Sequence, residues 1–286
     1  MPRLLAAVLL ALFIPGAAPA AAQALNNDEL WARAATPLAQ TPWGTGPQVF
    51  GGYSNGCIAG AVPLPLDGLG YTVIRTARNR YWGHPQLVEF IQHMGRFAAE
   101  SGIGTLMVAD MAQPRGGPIS GHASHEVGLD VDIWLRLLPE PTLSAAERAE
   151  PEEMSMLTAD GSAIDPARWT DAHVALYREA ATYPLTARIF ANPLIKQQLC
   201  RTVTGDRSWL ARVVPWYGHD GHMHVRLTCP PDSPWCVNQT PVDLSDDGCG
   251  GALAWWLSEA PYQQTGPSVP PPVPALPAPC AALAPN

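Results

Sequence analysis

Five of the eight histidines in this chain fall into two short clusters, and acidic residues follow the first of them closely. The clustered residues are His122 and His125, then His219, His222 and His224. Neutral imidazoles beside carboxylates are costly to bring together unless a charged species uses them. A divalent metal is the natural user, because a catalytic zinc takes about three protein ligands and leaves one position for water.

The alternation of residue types around both clusters predicts that several of these side chains share one face of a strand. Residues two apart on a strand point to the same side. His222 and His224 therefore point together, with Arg226 further along, and Asp130 and Asp132 do the same on their own strand. One metal cannot bind every member of this set, so the remaining groups must orient ligands or act as a base. At this level the choice of ligands stays open.

Periodic apolar patterns predict the elements that must hold these side chains in place. Segments 85–101, 167–183 and 193–200 have helical spacing, and Pro85 and Gly102 suit the start and the stop of the first. Strands are predicted at 105–109, 187–191 and in the two cluster segments, with a short hairpin at 48–55. We predict a single α+β domain, in which a small, mainly antiparallel sheet carries the zinc site and is surrounded by helices and long loops.

The first two dozen residues have the pattern of a secretory signal peptide. Arg3 precedes an apolar run at 4–14, and the AQA sequence at 22–24 fits a small-x-small cleavage site. We therefore divide the chain into a signal peptide at 1–24, a catalytic domain at 25–265 and a tail rich in Pro and Ala at 266–286. No later apolar run reaches the about 20 residues of a membrane helix. The formal net charge of -8 argues against a nucleic acid partner, which needs a basic surface.

All six cysteines lie after the signal peptide, and an even number in an exported chain predicts three disulfides. Spacing does not decide the pairing, although Cys229 and Cys236 flank a short loop that a local bridge could close. A cysteine zinc site is the alternative, and the absence of a C-x-x-C pair disfavours it. The tail is expected to be extended or disordered. A bridge from Cys280 to an early cysteine such as Cys57 would tie it back to the domain.

The two clusters resemble the LAS group of zinc peptidases, whose signature pairs an H-x6-D element with an H-x-H element. Longer strings are similar to the penicillin-insensitive murein endopeptidases, and the likeness runs from about Asn55 to Trp256. These strings are GHASH at 121–125, GLDVDI at 128–133, NP at 192–193 with IKQQLC at 195–200, and HMHVR at 222–226.

The resemblance implies one zinc ion per chain, held by His125, Asp132 and His224, with His222 as general base or transition-state stabiliser. It implies that His122 and His219 orient water or substrate, whereas Asp130 and Arg226 lie on the strand faces beside the ligands. It also implies three disulfides, namely Cys57 with Cys280, Cys200 with Cys249, and Cys229 with Cys236. In one respect the chain departs from some relatives, because Asp160 is followed by Ala163 where a histidine can help to hold a second metal.

The implied function is metallo-endopeptidase action on peptidoglycan in the periplasm, at the cross-link from D-alanine to meso-diaminopimelate. Five arginines are candidates for contacting substrate carboxylates: Arg75, Arg78, Arg80, Arg115 and Arg226. Three other functions fit the same residues. They are a D,D-carboxypeptidase that trims stem peptides, a non-catalytic zinc domain that binds a partner, and a periplasmic zinc carrier.

Overall fold

The structure, a computed structural model, describes residues 31, 44, 46–139, 143–262 and 275–284. The expected signal peptide at 1–24 lies outside the described residues. Within the described part of the chain, no helix combines the length and the apolar character that crossing a membrane requires.

The described chain forms eleven strands and five α-helices. The strands are β1 (Gln48–Gly52), β2 (Asn55–Ala59), β3 (Val62–Pro63), β4 (Asp67–Gly68), β5 (Tyr71–Val73), β6 (Trp82–Gly83), β7 (Thr105–Val108), β8 (Asp130–Leu138), β9 (Thr186–Ala191), β10 (Val213–Pro215) and β11 (His222–Leu227). The helices are α1 (Pro85–Glu100), α2 (Ala145–Ala149), α3 (Asp171–Thr182), α4 (Pro193–Thr202) and α5 (Gly251–Trp256). Short 3-10 helices lie at Thr76–Arg78, Ser208–Arg212, Ala260–Tyr262 and Ala278–Ala282.

A seven-stranded sheet in the order β10-β9-β11-β8-β7-β5-β4 forms the centre of the fold. Four of its neighbouring pairs are antiparallel, whereas β10 with β9 and β5 with β7 are parallel. The prediction of an α+β fold with a mainly antiparallel sheet is therefore confirmed. The long strands β8 and β11 are neighbours in the middle of this sheet.

One face of β8 and β11 is apolar and packs into the main core. Val131 and Ile133 of β8, with Met223 and Val225 of β11, are fully buried among residues of α1, α3 and α4. Because side chains alternate along a strand, this pattern sends the residues between them to the opposite face. The helices thus cover one side of the sheet and leave the other side for the polar residues of the two clusters.

Helix α1 shows why the sequence pattern was informative. Pro85 occupies its first turn, and the side chain of His84 accepts a hydrogen bond from the backbone amide of Gln86. Its apolar stripe is buried from Leu87 to Ala98. The sequence predicted that helix α3 begins at residue 167, but it begins at Asp171. Residues 166–168 form a turn instead, and Trp169 after this turn is buried and stacks on His173.

The hairpin of β1 and β2 forms a second layer with the end of the tail. The three disulfides that the resemblance implied are present, and the one between Cys57 and Cys280 joins β2 to the 3-10 helix Ala278–Ala282. The prediction of an unpacked tail is wrong for residues 275–284, because Cys280 and Leu283 are buried against Trp31 and Phe50. The covalent link holds a segment that its own composition would leave extended.

We predict that replacing both Cys57 and Cys280 with Ser lowers the free energy of unfolding by about 2 to 5 kcal/mol. The bridge spans 223 residues, so its loss frees a long loop in the unfolded chain and releases the packed end of the tail. Urea unfolding followed by tryptophan fluorescence measures the change. The Cys229→Ser, Cys236→Ser variant is the control, because its bridge spans 7 residues and should cost less. Equal losses in the two variants would contradict the prediction.

Candidate metal centre

The pairing of β8 with β11 places the acidic residues of one cluster opposite the histidine and arginine of the other. Asp132 lies opposite His224, and Asp130 lies opposite Arg226. Side chains directly opposite in an antiparallel pair share one face of the sheet at close range. Two segments about ninety residues apart in sequence are thereby brought into one polar site.

Two imidazole nitrogens converge on a single oxygen of Asp132. His125 Nε2 lies 3.3 Å from Asp132 Oδ1, and His224 Nδ1 lies 3.5 Å from the same atom. Two atoms that each bind a tetrahedral zinc at about 2.0 to 2.2 Å are about 3.3 to 3.6 Å apart. Each of these two distances therefore fits a pair of atoms that share one metal ion. Among the described residues, the set of three whose ligand atoms all lie within 4.8 Å of one another contains His122 in place of His224.

The polar atoms at this point also lack the partners that buried polar atoms normally have. Among the described residues, His125 Nε2 and Asp132 Oδ1 are buried and make no hydrogen bond. Such atoms are rare, because an unsatisfied buried polar group costs about 1 to 3 kcal/mol. Burial lowers the pKa of His125, but the carboxylates of Asp132, Asp130 and Asp110 together outweigh burial, and the net shift of the pKa is upward. The pair thus attracts a positive charge, which a metal ion can supply.

His125 is held so that Nε2 is the atom available for a metal. Its other ring nitrogen, Nδ1, lies 2.8 Å from the backbone carbonyl of Met111, which can only accept a hydrogen bond. The proton therefore belongs on Nδ1, and the lone pair of Nε2 faces Asp132. The backbone of His125 adopts a left-handed conformation with φ of 71°. For a residue other than glycine this is strained, and such strain is concentrated at functional sites.

Asp130 is the fully buried hub that fixes both histidines. Its Oδ2 accepts a hydrogen bond of 3.1 Å from the backbone amide of His125, and its Oδ1 lies 3.2 Å from His224 Nε2. Arg226 donates to both oxygens, at 2.7 and 3.1 Å. Burial is the largest single influence and would raise the pKa of Asp130, but Arg226 and His224 together outweigh burial and keep this pKa far below its usual value. Asp130 is therefore an anion that directs Nδ1 of His224 toward Asp132.

His122 is a second candidate for the third ligand. Its ligand atom lies within 4.8 Å of those of His125 and Asp132, and its Nδ1 is 3.7 Å from Asp132 Oδ2. Its Nε2 lies 2.9 Å from Asp110 Oδ2. Burial raises the pKa of Asp110, but the hydrogen bond from His122 and the charge of Arg80 lower it to about 2. His122 therefore has a carboxylate next to each ring nitrogen, Asp132 beside Nδ1 and Asp110 beside Nε2.

His222 and His219 border the same centre from the other strand and the loop before it. His222 Nε2 lies 3.9 Å from Asp132 Oδ1, and its Nδ1 lies 3.7 Å from Glu153 Oε1. His219 donates from Nδ1 to the carbonyl of Tyr217, and burial lowers its pKa to about 4. The amide of Asn192 donates to the carbonyl of His219, so the NP string before α4 holds this loop. His219 is consequently a neutral imidazole near the site.

These groups line a cleft of about 510 Å³ that includes four of the clustered histidines. All eight predicted site residues lie in or next to it. Arg226 lines its floor, but it is buried and bound to Asp130 and to Gln239, so its guanidinium positions other residues. Of the other candidate arginines, Arg115 donates to the carbonyl of Leu283 in the tail. The remaining three, Arg75, Arg78 and Arg80, line a neighbouring cavity.

Two carboxylates of the site were not identified from the sequence. Asp110 lies two residues after the end of strand β7, and an acidic residue just beyond a buried strand and before a histidine cluster is a signal that could have revealed it. Glu153 lies in an acidic stretch without periodicity, and nothing in that pattern marks it as a neighbour of His222.

Comparison with known proteins identifies one family over most of the chain. The sequence profile described as penicillin-insensitive murein endopeptidase matches residues 49–284. A penicillin-insensitive murein endopeptidase from Yersinia enterocolitica is 45% identical over 247 residues, which is 83% of this chain and 89% of the relative. The one from Haemophilus influenzae is 45% identical over 79% of this chain and 80% of its own. The one from Klebsiella pneumoniae is 43% identical over 86% and 92%.

We predict that Asp130→Ala lowers the free energy of unfolding by about 3 to 5 kcal/mol, because it leaves the buried guanidinium of Arg226 without its carboxylate. Chemical denaturation of the metal-free protein measures the change, which separates folding from metal binding. Glu152→Ala removes one member of the exposed pair with Arg136, at 3.9 Å, and should change stability by less than about 1 kcal/mol. A loss for Asp130→Ala as small as that of the control would contradict the hub role.

Proposed function

The chain belongs to the penicillin-insensitive murein endopeptidase family, and we propose that it is a zinc peptidase that hydrolyses peptide cross-links in peptidoglycan. The bond cut is the amide between D-alanine and meso-diaminopimelate. We assign His125, Asp132 and His224 as the zinc ligands and His222 as the general base.

The single observation that carries this proposal is the convergence of two buried imidazole nitrogens on Asp132 Oδ1 at 3.3 and 3.5 Å. Two nitrogens and one carboxylate oxygen are a donor set typical of catalytic zinc. The neutral tautomer of His125 and the anionic hub at Asp130 prepare the ligands before a metal arrives. A cleft beside them leaves room for water and substrate.

We prefer His224 to His122 as the third ligand for two reasons. His224 Nδ1 faces the same oxygen as His125 Nε2, whereas His122 faces Oδ2, the other oxygen of Asp132. His224 is also held from behind by a buried carboxylate that is itself fixed by Arg226, the usual arrangement around a metal-binding imidazole. His122 instead lies on the edge of the cleft, where it can orient water or substrate.

Zinc bound here would act as a Lewis acid on the scissile carbonyl and would lower the pKa of the attacking water toward about 7. His222 Nε2 is the nitrogen that faces the ligands, and it can take the proton of that water. Glu153 lies beside the opposite nitrogen, Nδ1, and stabilises the protonated ring that results. The same Nε2 can then return the proton to the amine of the leaving diaminopimelate.

Neutral His219 complements this step as a hydrogen-bond acceptor that does not repel the cationic ring of His222. Its ring centroid lies 5.0 Å from that of His222, and burial lowers its pKa to about 4. Because its single proton lies on Nδ1 and is donated to Tyr217, its Nε2 can accept a hydrogen bond from water or from a substrate N–H.

We further propose that the protein works in the periplasm after removal of residues 1–24. The three disulfides support this location, because disulfides form and persist in oxidising compartments such as the bacterial periplasm. The substrate polymer lies in the same compartment, and the sequence pattern at 1–24 is that of an export signal.

We predict that the purified mature protein converts cross-linked dimeric muropeptides to monomers, and that a chelator abolishes this activity while penicillin leaves it unchanged. Chromatography of the digest measures the products, and added zinc should restore the chelated enzyme. Release of free D-alanine from monomeric pentapeptide, without cleavage of dimers, would instead identify a D,D-carboxypeptidase. Unchanged dimers with one bound zinc per chain would identify a binding module.

We predict that His224→Ala loses zinc and activity together, whereas His222→Ala keeps zinc and loses turnover by about 100-fold to 10,000-fold. Metal content by mass spectrometry and the rate of dimer cleavage separate the two effects. His122→Ala is the matched comparison, because it removes the competing imidazole, and it should retain zinc. Retention of zinc by His224→Ala and its loss from His122→Ala would reverse the assignment of the third ligand.

A further inference from the structure

A second concave site adjoins the catalytic cleft, and its walls are strongly basic. This cavity, of about 550 Å³, is lined by three arginines together with uncharged residues and His122. The arginines are Arg75, Arg78 and Arg80. His122 and Gly121 line both the cavity and the cleft, so the two spaces meet at the edge of the proposed zinc site.

Among the described residues, the three arginines of the cavity outnumber the two carboxylates that interact with them, Asp110 and Glu153. None of the residues that line it is acidic. Asp110, at its base, contacts Arg78 at 3.2 Å and Arg80 at 2.9 Å and also binds His122. One buried carboxylate therefore faces two guanidinium groups, and Arg75 adds a third positive charge.

The three arginines have different roles within this wall. Arg80 is fixed, because it donates to Asp110 and to both the carbonyl and the hydroxyl of Ser120. Arg78 uses one nitrogen for Asp110, and 43% of its side chain is exposed. The guanidinium of Arg75 makes no hydrogen bond to any described residue, although its Nε is buried. Its Cζ lies 4.7 Å from the centre of the Trp134 ring, a cation–π contact that helps to position the guanidinium.

An arginine whose guanidinium contacts an aromatic ring and donates to none of the described residues is suited to bind a carboxylate through two hydrogen bonds. Substrate supplies such a group beside the scissile bond. When D-alanine acylates the amine on the D-centre of meso-diaminopimelate, the carboxylate on that same carbon stays free. It lies two covalent bonds from the scissile nitrogen, so it must lie next to the catalytic cleft when the bond is cut.

We propose that this arginine cavity binds the free carboxylate on the D-centre of the diaminopimelate whose amide is cleaved, with Arg75 and Arg78 as the binding residues. The inference rests on the proposed function and adds a determinant of specificity to it. It explains how an acidic protein, with a formal net charge of -8, attracts an anionic polymer at one place. Arg80 and Asp110 keep the wall of the cavity in position.

The test uses the zinc-loaded enzyme and three cross-linked dimers. The first dimer is unmodified, the second has the D-centre carboxylate of the acceptor diaminopimelate converted to an amide, and the third has the glutamyl α-carboxylates converted instead. For the wild-type enzyme, kcat/KM should fall at least about tenfold on the second dimer, the effect of one lost charge-assisted hydrogen bond. It should stay unchanged on the third.

The double variant Arg75→Gln, Arg78→Gln should lose the same factor on the unmodified dimer and nothing further on the second, because the two changes remove one interaction. Its zinc content should equal that of the wild type. The double lysine variant should recover part of the loss, since it restores the charge without the planar fork. Arg96→Gln, on the exposed face of α1, is the control and should cut all dimers at the wild-type rate.

The outcomes separate this inference from the function on which it rests. Equal cleavage of all three dimers by the wild type would overturn the cavity assignment and leave the peptidase intact. Loss on the third dimer instead of the second would also overturn it, because another carboxylate would then be the one recognised. If the double variant were impaired by the same factor on every dimer, the arginines would have a structural role only. Failure of the wild type to cut any dimer would overturn the proposed function itself.

Discussion

The buried ion pair between Asp130 and Arg226 is the interaction on which the site depends. Removing two charges from water is costly, and their attraction offsets this only if the remaining hydrogen-bond positions are also filled. Asp130 accepts a hydrogen bond from the amide of His125, and its Oδ1 lies 3.2 Å from His224 Nε2. Arg226 donates to Gln239 and lies over the rings of Tyr53 and Phe190. One buried carboxylate is therefore next to both histidines that we propose as zinc ligands.

The register of β8 against β11 is the second constraint, and it follows from the two faces of the sheet. A shift of β8 by one residue would move Val131 out of the core and bring Asp132 into it. The hydrophobic core on the helical side thus enforces the pairing of Asp132 with His224 on the other side. The alternation of side chains along β8 and β11 thus sets both the packing of the core and the arrangement of the polar site. A change of register would disturb both.

Charged and polar side chains form a continuous row from the basic cavity to the proposed zinc site. Asp110 contacts Arg78, Arg80 and His122, and His122 in turn contacts Asp132. Glu153 lies next to His222 and also interacts electrostatically with Arg75 of the cavity. In the proposed mechanism, anionic substrate groups meet the arginines, and the proton of the reaction meets His222, which Glu153 supports.

The sequence by itself determined the parts of this protein that depend on neighbours along the chain. These include helix α1 with Pro85 in its first turn, the strands that follow or contain the histidine clusters, and the sharing of one face by His222 and His224. The resemblance supplied the disulfide pairing, which spacing had left open. Only the tertiary structure decided that Arg226 pairs with Asp130, that Asp110 and Glu153 face histidines, and that Arg75 joins Arg78 and Arg80 beside the cleft. Periodicity reports which face of its own element a residue occupies, whereas these contacts depend on how distant elements pack, and burial of the common core sets that packing.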